Sequence, residues 1–175
     1  MPRRWKIFLV VAMISLAADQ ASKVWARHSL PVHPTPCAIP DDLVAHKCVG
    51  LTRPLIDGYW DWRLSFNPGS TFGLFHGRTG ARVFLSLIAL AATGAMAWMA
   101  HKASDRQTRH LWALGLVAGG AIGNLIDRAA FGVVTDFVLW HYHEHEWPVF
   151  NIADVGLVVG VGLMFLDAGK PAKEG

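Results

Sequence analysis

Four carboxylates lie in or at the edge of apolar stretches, and each has a polar partner close in sequence. Asp19 stands in Asp19-Gln20-Ala21-Ser22-Lys23, and Asp127 in Gly123-Asn124-Leu125-Ile126-Asp127-Arg128. Asp136 stands in Val134-Thr135-Asp136-Phe137, and Asp154 in Phe150-Asn151-Ile152-Ala153-Asp154. A charge at membrane depth costs about 2.5–3.5 kcal/mol or more, and is usually retained because it is functional. Two carboxyls held close in a poorly solvated site cannot both ionise easily, so the pair shares one proton. The ionised member can then deprotonate a water while the protonated member polarises a carbonyl. That is amide hydrolysis with neither a metal nor a covalent nucleophile. The sequence holds no G-x-S-x-G and no HExxH, and Cys37 and Cys48 both fall in a loop-like segment. Spacing alone leaves open which two carboxylates form the pair.

Helices through a bilayer are the elements that could position these groups. Only 17% of the 175 residues are charged, against about a quarter in soluble domains. Residues 83–100 and 111–126 carry no charge, and 149–166 is interrupted only by Asn151 and Asp154. Residues 7–26 are apolar apart from Ser15, Asp19, Gln20, Ser22 and Lys23. A crossing needs roughly 20 mostly apolar residues. The pattern therefore predicts an integral membrane, mainly α protein with four transmembrane helices. The third run is short alone and must continue through Asn124 and Asp127, which puts them near a membrane face.

Basic residues set the orientation. Arg3, Arg4 and Lys6 precede the first span, Lys102, Arg106 and Arg109 join the second to the third, and Lys170 and Lys173 follow the fourth. These segments alternate so as to share one side, and the positive-inside rule places both termini in the cytoplasm. The segment at about 28–80 and the connection at about 129–148 then face outward. Helix three runs outward and helix four starts outside, so Asp127, Asp136 and Asp154 fall at one outer level with Asp19 and Lys23. The basic residues are spread along the chain, which argues against nucleic acid.

Residues 28–58 are rich in Pro, His and charge and lack helical periodicity. Residues 59–66 alternate as a strand with aromatics suited to the interface. Asn67-Pro68-Gly69-Ser70 is a turn signal, and 71–75 continues as a strand or a re-entrant segment. With an extended stretch at 133–138, these predict a small extracytoplasmic β platform. Asp19 and Lys23 at i, i+4 share a helix face, as do Asn124 with Asp127 and Asn151 with Asp154 at i, i+3. Gly115, Gly119 and Gly123 on helix three, and Gly156 and Gly160 on helix four, permit close packing that would join the polar ends of those helices. Residues 1–168 read as one membrane-embedded domain and 169–175 as a disordered cytoplasmic tail. The N-terminus looks like a secretory signal, but cleavage would strand Asp19 and Lys23 and leave an odd number of spans. An oxidising compartment permits a Cys37–Cys48 disulfide.

The blocks Asp19-Gln20-x-x-Lys23, Asn67-x-Gly69-x-x-Phe72-Gly73, Gly123-Asn124-x-x-Asp127-Arg128, Val134-x-Asp136-Phe137 and Phe150-Asn151-x-Ala153-Asp154 resemble, in order, the motifs of the lipoprotein signal peptidase (signal peptidase II) family. The resemblance spans about residues 5 to 168. It implies an aspartyl endopeptidase of the bacterial inner membrane that removes the signal peptide from diacylglyceryl-modified prolipoproteins, cutting N-terminal to the lipidated cysteine. It places the catalytic pair on Asp136 and Asp154, with polar support from Asn124, Asp127, Arg128, Asn151 and Ala153. It assigns helix-one support to Asp19 and Lys23, and substrate contact to Asn67, Gly69 and Phe72. It further implies a site open to the periplasmic side, no cofactor or metal, prolipoprotein and membrane lipid as partners, inhibition by globomycin-type peptides, and a monomer. Two departures, Thr71 in place of the family's usual alanine and a long outer segment before Tyr59, bear on substrate preference rather than chemistry.

Plainer readings compete at several positions. Arg128 beside Asp127 offers a structural ion pair, and Asp19 with Lys23 reads as an internal one. His141, His143 and His145 alternate on a strand and would share a face, yet read as surface histidines rather than metal ligands. The eight tryptophans read mostly as interfacial anchors. Carboxylates can also build a proton relay in a non-enzymatic carrier, but that predicts a spread across the bilayer depth. An inactive lipoprotein-binding paralogue is the remaining alternative.

Overall fold

The computed structural model describes residues 1–33, 49–69 and 78–168. Four helices carry most of them: α1 (Arg3–Ser29), α2 (Arg78–Lys102), α3 (Thr108–Phe131) and α4 (Ile152–Ala168). Six strands accompany them: β1 (Val32–His33), β2 (Val49–Gly50), β3 (Arg53–Ile56), β4 (Trp60–Asn67), β5 (Val134–Tyr142) and β6 (His145–Glu146). The protein is thus mainly helical with a small antiparallel sheet. Strands β1 and β2 pair separately, and the larger sheet runs β3-β4-β5-β6. Cys37, Cys48, residues 71–75 and the tail lie outside the described residues.

Two helical segments, Arg3–Ser29 and Gly80–Lys102, are long and apolar enough to cross a membrane. Large apolar side chains face outward on α2, such as Leu87 and Leu90, and also on α4, where Val158, Phe165 and Leu166 are exposed. A water-facing surface rarely carries so much contiguous apolar area. α3 is the central helix, buried along much of its length and packed against α1, α2 and α4.

Glycines set how closely the helices approach. A Cβ at Gly115 would lie 2.9 Å from the Phe8 carbonyl, and one at Gly119 2.6 Å from that of Ala12. The Gly115–Gly119–Gly123 stripe therefore seats α1, not α4 as the spacing led us to expect. α4 approaches α3 through Gly120, whose Cβ would meet the Ala153 carbonyl at 2.5 Å, and through its own Gly160 against Ala113 and Val117. One glycine face on α3 serves α1 and another serves α4.

The bundle has two chemically distinct ends. At one, Arg3 bonds the Asp105 carbonyl, the Arg4 amide reaches the Asp105 carboxylate at 3.0 Å, and Arg109 pairs with Asp167. At the other end the sheet closes over α1 and α3. Trp25 on α1 packs edge-on against Trp62 and Phe137 at 5.3 and 6.1 Å, and Trp60 meets Trp62 and Trp140. Trp25 thus joins helix to sheet, while Trp60, Trp62 and Trp140 pack against one another within the sheet.

Sequence and structure differ in three places here. Helix α4 starts at Ile152 rather than 149, because the Phe150 backbone is taken by β5. Phe137 and Val138 donate to its carbonyl at 3.0 and 2.9 Å, and its own N–H returns to the Val138 carbonyl at 3.0 Å. β5 ends at Tyr142 and His143 turns with φ 52°, so the three histidines do not share a strand face. His141 Nε2 instead lies 3.0 Å from Asp61 Oδ2. β4 begins within a residue of its expected start, while β1, β2 and β3 had no visible signal.

Candidate active site

The first turn of α4 is built as a reciprocal cap. Asn151 is its N-cap: the Asp154 N–H donates to Asn151 Oδ1 at 3.1 Å, and the Asn151 N–H donates to Asp154 Oδ2 at 3.2 Å. This arrangement satisfies two backbone donors that a helix start otherwise leaves unpaired. Asn151 therefore does not share a helix face with Asp154, as the spacing implied. It precedes the helix and folds back over it. The bridge between Val138 and Phe150 pins this cap beside β5, two residues along from Asp136.

Asn151 joins the two carboxyls. Its amide donates to Asp136 Oδ1 at 2.6 Å and to Asn124 Oδ1 at 3.2 Å, while its own oxygen holds the Asp154 N–H. Asn124 in turn donates to Asp154 Oδ1 at 3.0 Å. Both amides thus have a fixed sense, oxygen toward donors and NH2 toward carboxylates. Asn67 ends β4 across from Val134, with Ser65 opposite Asp136, so Asn67 is a diagonal neighbour of Asp136 on the same sheet face. Its side chain is near enough to Asp136 to favour the charged carboxylate, and its oxygen accepts the Gly69 N–H at 2.8 Å. Gly69 takes φ 80°, which the turn requires.

Burial pushes the Asp136 carboxyl up to about 7, and the Asp154 charge adds to the rise. The hydrogen bond from Asn151, the nearby Asn67 side chain and the Lys23 charge act the other way without cancelling it. A carboxylic acid poised near neutrality beside a second carboxyl can hold or release a proton at working pH.

Behind the pair lies a buried ionic layer. Lys23 Nζ sits 2.8 Å from Asn124 Oδ1, 3.0 Å from Asp19 Oδ2 and 3.7 Å from Asp127 Oδ2. The side chains of Lys23, Asp19 and Asp127 are all 0% exposed. Asp19 also accepts Gln20 at 3.0 Å and the Ala153 N–H at 3.0 Å, so it holds the α4 start from α1. Asp127 Oδ2 accepts the Thr135 N–H at 2.8 Å. Its cationic partners are Lys23 and Arg27 on α1, not its neighbour Arg128. Successive residues on a helix point about 100° apart, and Asp127 faces α1 while Arg128 turns away. The half-buried Arg128 reaches the Asn124 carbonyl at 3.4 Å and lies in the field of Asp136, Asp154 and Asp127. Its Nε has no partner among the described residues.

The structure brings together Asp136, Asp154, Asn124, Asp127, Arg128, Asn151, Ala153, Asp19 and Lys23, with Asn67 and Gly69 at the edge. Phe72 lies outside the described residues. Sequence reasoning missed Arg27, Thr135 and the contacts of Gln20. Arg27 extends the Asp19–Lys23 spacing by four more residues, and that stripe was a readable signal. Among the described residues no group of three or more His, Cys, Asp or Glu side chains could hold a metal ion.

This architecture has known counterparts. Residues 11–169 match the family model described as signal peptidase (SPase) II. The chain belongs to the signal peptidase II family. It is 34% identical to the lipoprotein signal peptidase of Xanthomonas campestris pv. campestris (strain 8004) over 172 residues, covering 96% of this chain and 93% of that one. It is 32% identical to the lipoprotein signal peptidase of Xylella fastidiosa (strain 9a5c), covering 91% and 88%. Two solved structures described as bacterial membrane enzymes share the fold at 24% identity, with TM-scores of 0.73 and 0.74. The first covers 96% of this chain and 93% of its own. In this signal peptidase II chain, every motif quoted from the sequence lies inside the matched span.

Proposed function

We propose that the chain is an aspartyl endopeptidase that removes the signal peptide from diacylglyceryl-modified prolipoproteins, cutting N-terminal to the lipidated cysteine. The observation that carries this reading is the Asn151 bridge: one side chain hydrogen-bonded to Asp136 at 2.6 Å and reciprocally capped with Asp154. Family membership supplies the substrate class, since the relatives named above are lipoprotein signal peptidases.

Asp136 and Asp154 share one proton. The ionised carboxylate takes a proton from water as its oxygen attacks the scissile carbonyl carbon. The protonated partner gives its proton to the carbonyl oxygen, producing a neutral tetrahedral diol. On collapse a diol hydroxyl proton returns to the pair, a proton passes to the leaving nitrogen, and the C–N bond breaks. The products are a carboxyl-terminated signal peptide and a free amine on the lipidated cysteine. Acid and base roles belong to the pair, which titrates as a unit. No metal or cofactor enters these steps. Asn124, Asn151 and Asn67 aim the carboxyls, and the ionic layer of Asp19, Lys23 and Asp127 holds the asparagines from behind.

In the bilayer, all four helices cross, residues 1–168 form one domain, both termini face the cytoplasm, and the carboxylate end opens to the periplasmic side of the inner membrane. The separation of the Arg3–Asp105–Arg109–Asp167 end from the carboxylate end supports this orientation. Short crossings such as the 17-residue α4 fit if the membrane thins or flanking residues snorkel. The enzyme acts as a monomer, lipid chains enter laterally, and globomycin-type peptides compete for the site. Clustering of the carboxylates at one end argues against a carrier, whose relay would extend across the bilayer. The test is reconstitution with a lipidated prolipoprotein and mass analysis of the products. A product beginning at the lipidated cysteine is expected, and no cleavage, or cleavage elsewhere, overturns the reading.

A further inference from the structure

We infer that Arg27 is a positioning residue for Asp136: it ties the Thr135 side chain to Asp127 and so fixes the backbone from which the Asp136 carboxyl projects. This rests on the reading of Asp136 as half of the working pair.

Asp19, Lys23 and Arg27 recur every fourth residue and form one stripe along the outer end of α1. The first two face Asn124, Asp127 and the start of α4. Arg27 faces both Asp127 and β5. Its NH1 donates to Thr135 Oγ1 at 2.9 Å and approaches Asp127 Oδ1 at 3.5 Å. Its guanidinium carbon lies 4.7 Å above the centre of the Phe131 ring, a stacking geometry that restrains the side chain. The other Asp127 oxygen accepts the Thr135 N–H at 2.8 Å. Arg27, Asp127 and Thr135 therefore close a ring that holds Thr135 by both its hydroxyl and its amide. Thr135 is fully buried and Arg27 nearly so, so water cannot substitute for these contacts at low cost.

The sheet pairs Asp136 with Ser65 and Thr135 with Phe66, but next to an irregular step, so the grip from α1 and α3 adds to it. The β4–β5 ladder shifts register between Trp62 and Ser65, just before the residues that pair with Asp136 and Thr135. The extra residue lies on β4, where it bends that strand and raises the local twist beside Asp136. Adjacent strand residues point to opposite faces, so a grip on Thr135 from α1 and α3 sets the direction of Asp136 toward Asn151. A misplacement of about 1 Å at a reacting group costs on the order of a hundredfold in rate. The clamp thus acts on turnover through geometry, apart from any role of the ion pair in stability.

Thr135→Val separates these roles, because it keeps the shape, the backbone N–H to Asp127 and the Arg27–Asp127 pair but removes the hydroxyl. In the full-length enzyme acting on a lipidated prolipoprotein, kcat for Thr135→Val is expected to fall about tenfold, with KM unchanged within about twofold. Thr135→Ser, which restores the hydroxyl, should recover most of that loss. Arg27→Met should lower kcat at least as far, and the Arg27→Met/Thr135→Val double variant no further than Arg27→Met alone, since both break one contact. Where Arg27→Met does not fold, the valine and serine pair decides. Wild-type kcat in Thr135→Val, alongside an inactive Asp136→Asn, overturns the clamp, as do additive losses in the double variant. Cleavage by Asp136→Asn overturns instead the assignment of the pair on which the clamp rests.

Discussion

Replacing Lys23 by methionine removes a charge from the middle of the ionic layer while nearly keeping its volume. Lys23 Nζ is 3.0 Å from Asp19 and 3.7 Å from Asp127, and none of these side chains reaches the surface. Deleting one partner of a buried ion pair costs about 3–5 kcal/mol, because the other charge is left uncompensated. Here Asp19 keeps bonds from Gln20 and the Ala153 N–H, and Asp127 keeps Arg27 and the Thr135 N–H. The lower end, about 3 kcal/mol, is therefore expected. For a chain of this size that is about 6–12 °C in the unfolding midpoint, at about 2–4 °C per kcal/mol. Thermal unfolding in detergent micelles measures it. Adding Asp19→Asn should recover part of the loss, because asparagine removes the stranded charge yet still accepts the Ala153 N–H. A second readout is catalytic. The Lys23 charge lowers the Asp136 carboxyl, so its removal should move the alkaline limb of activity to higher pH. A midpoint within about 2 °C of wild type, with an unmoved limb, would refute the ionic-layer reasoning.

Other perturbations probe separate parts of the site. Asp136 is raised from 3.8 to about 7 by burial and by Asp154, so the folded state holds a proton that the unfolded state has lost between those values. Stability from this residue is therefore present below about pH 4 and is lost as pH rises toward 7. Asp154→Asn removes the like charge and should flatten that slope in unfolding curves taken from pH 4 to 7. Asn151→Ala removes both the helix cap and the donor to Asp136. It should cost about 1 kcal/mol in stability and lower kcat by tenfold or more, by initial-rate measurement. Gly119→Ala places a Cβ 2.6 Å from the Ala12 carbonyl, so α1 must move. About 1–3 kcal/mol of destabilisation should appear in the unfolding midpoint, with a fall in activity as the Asp19–Lys23 stripe shifts.

What the sequence disclosed follows from what spacing encodes. Asp19 and Lys23 four apart, or Asn124 and Asp127 three apart, share a helix face whatever surrounds them, and the structure brings these groups together. The β4 strand was visible through its alternating aromatics. Partners across elements were not encoded in this way. Asp127 has Arg128 next in sequence, yet its cations come from α1, about a hundred residues away. Asn151 and Asp154 carry a cap signature of the N-x-x-D kind, but the apolar run around them masked where the helix starts. Only the Phe150 backbone pairing with β5 sets that boundary. Arg27 continues the Asp19–Lys23 spacing, which puts it on the same face of α1, but spacing alone does not name Thr135 and Asp127 as its partners. The short strands β1 to β3 sit in a Pro- and His-rich segment with no period to read.

The most direct measurement compares cleavage of a lipidated prolipoprotein by three reconstituted variants: Asp136→Asn, Asp154→Asn and Asp127→Asn. Asparagine preserves size and one hydrogen-bond acceptor but can neither take nor give the shared proton. Turnover should fall by at least about a hundredfold in each of the first two. Asp127→Asn should weaken the fold yet retain measurable turnover per folded molecule. Cleavage that persists near wild-type rate in either Asp136→Asn or Asp154→Asn would contradict the shared-proton pair.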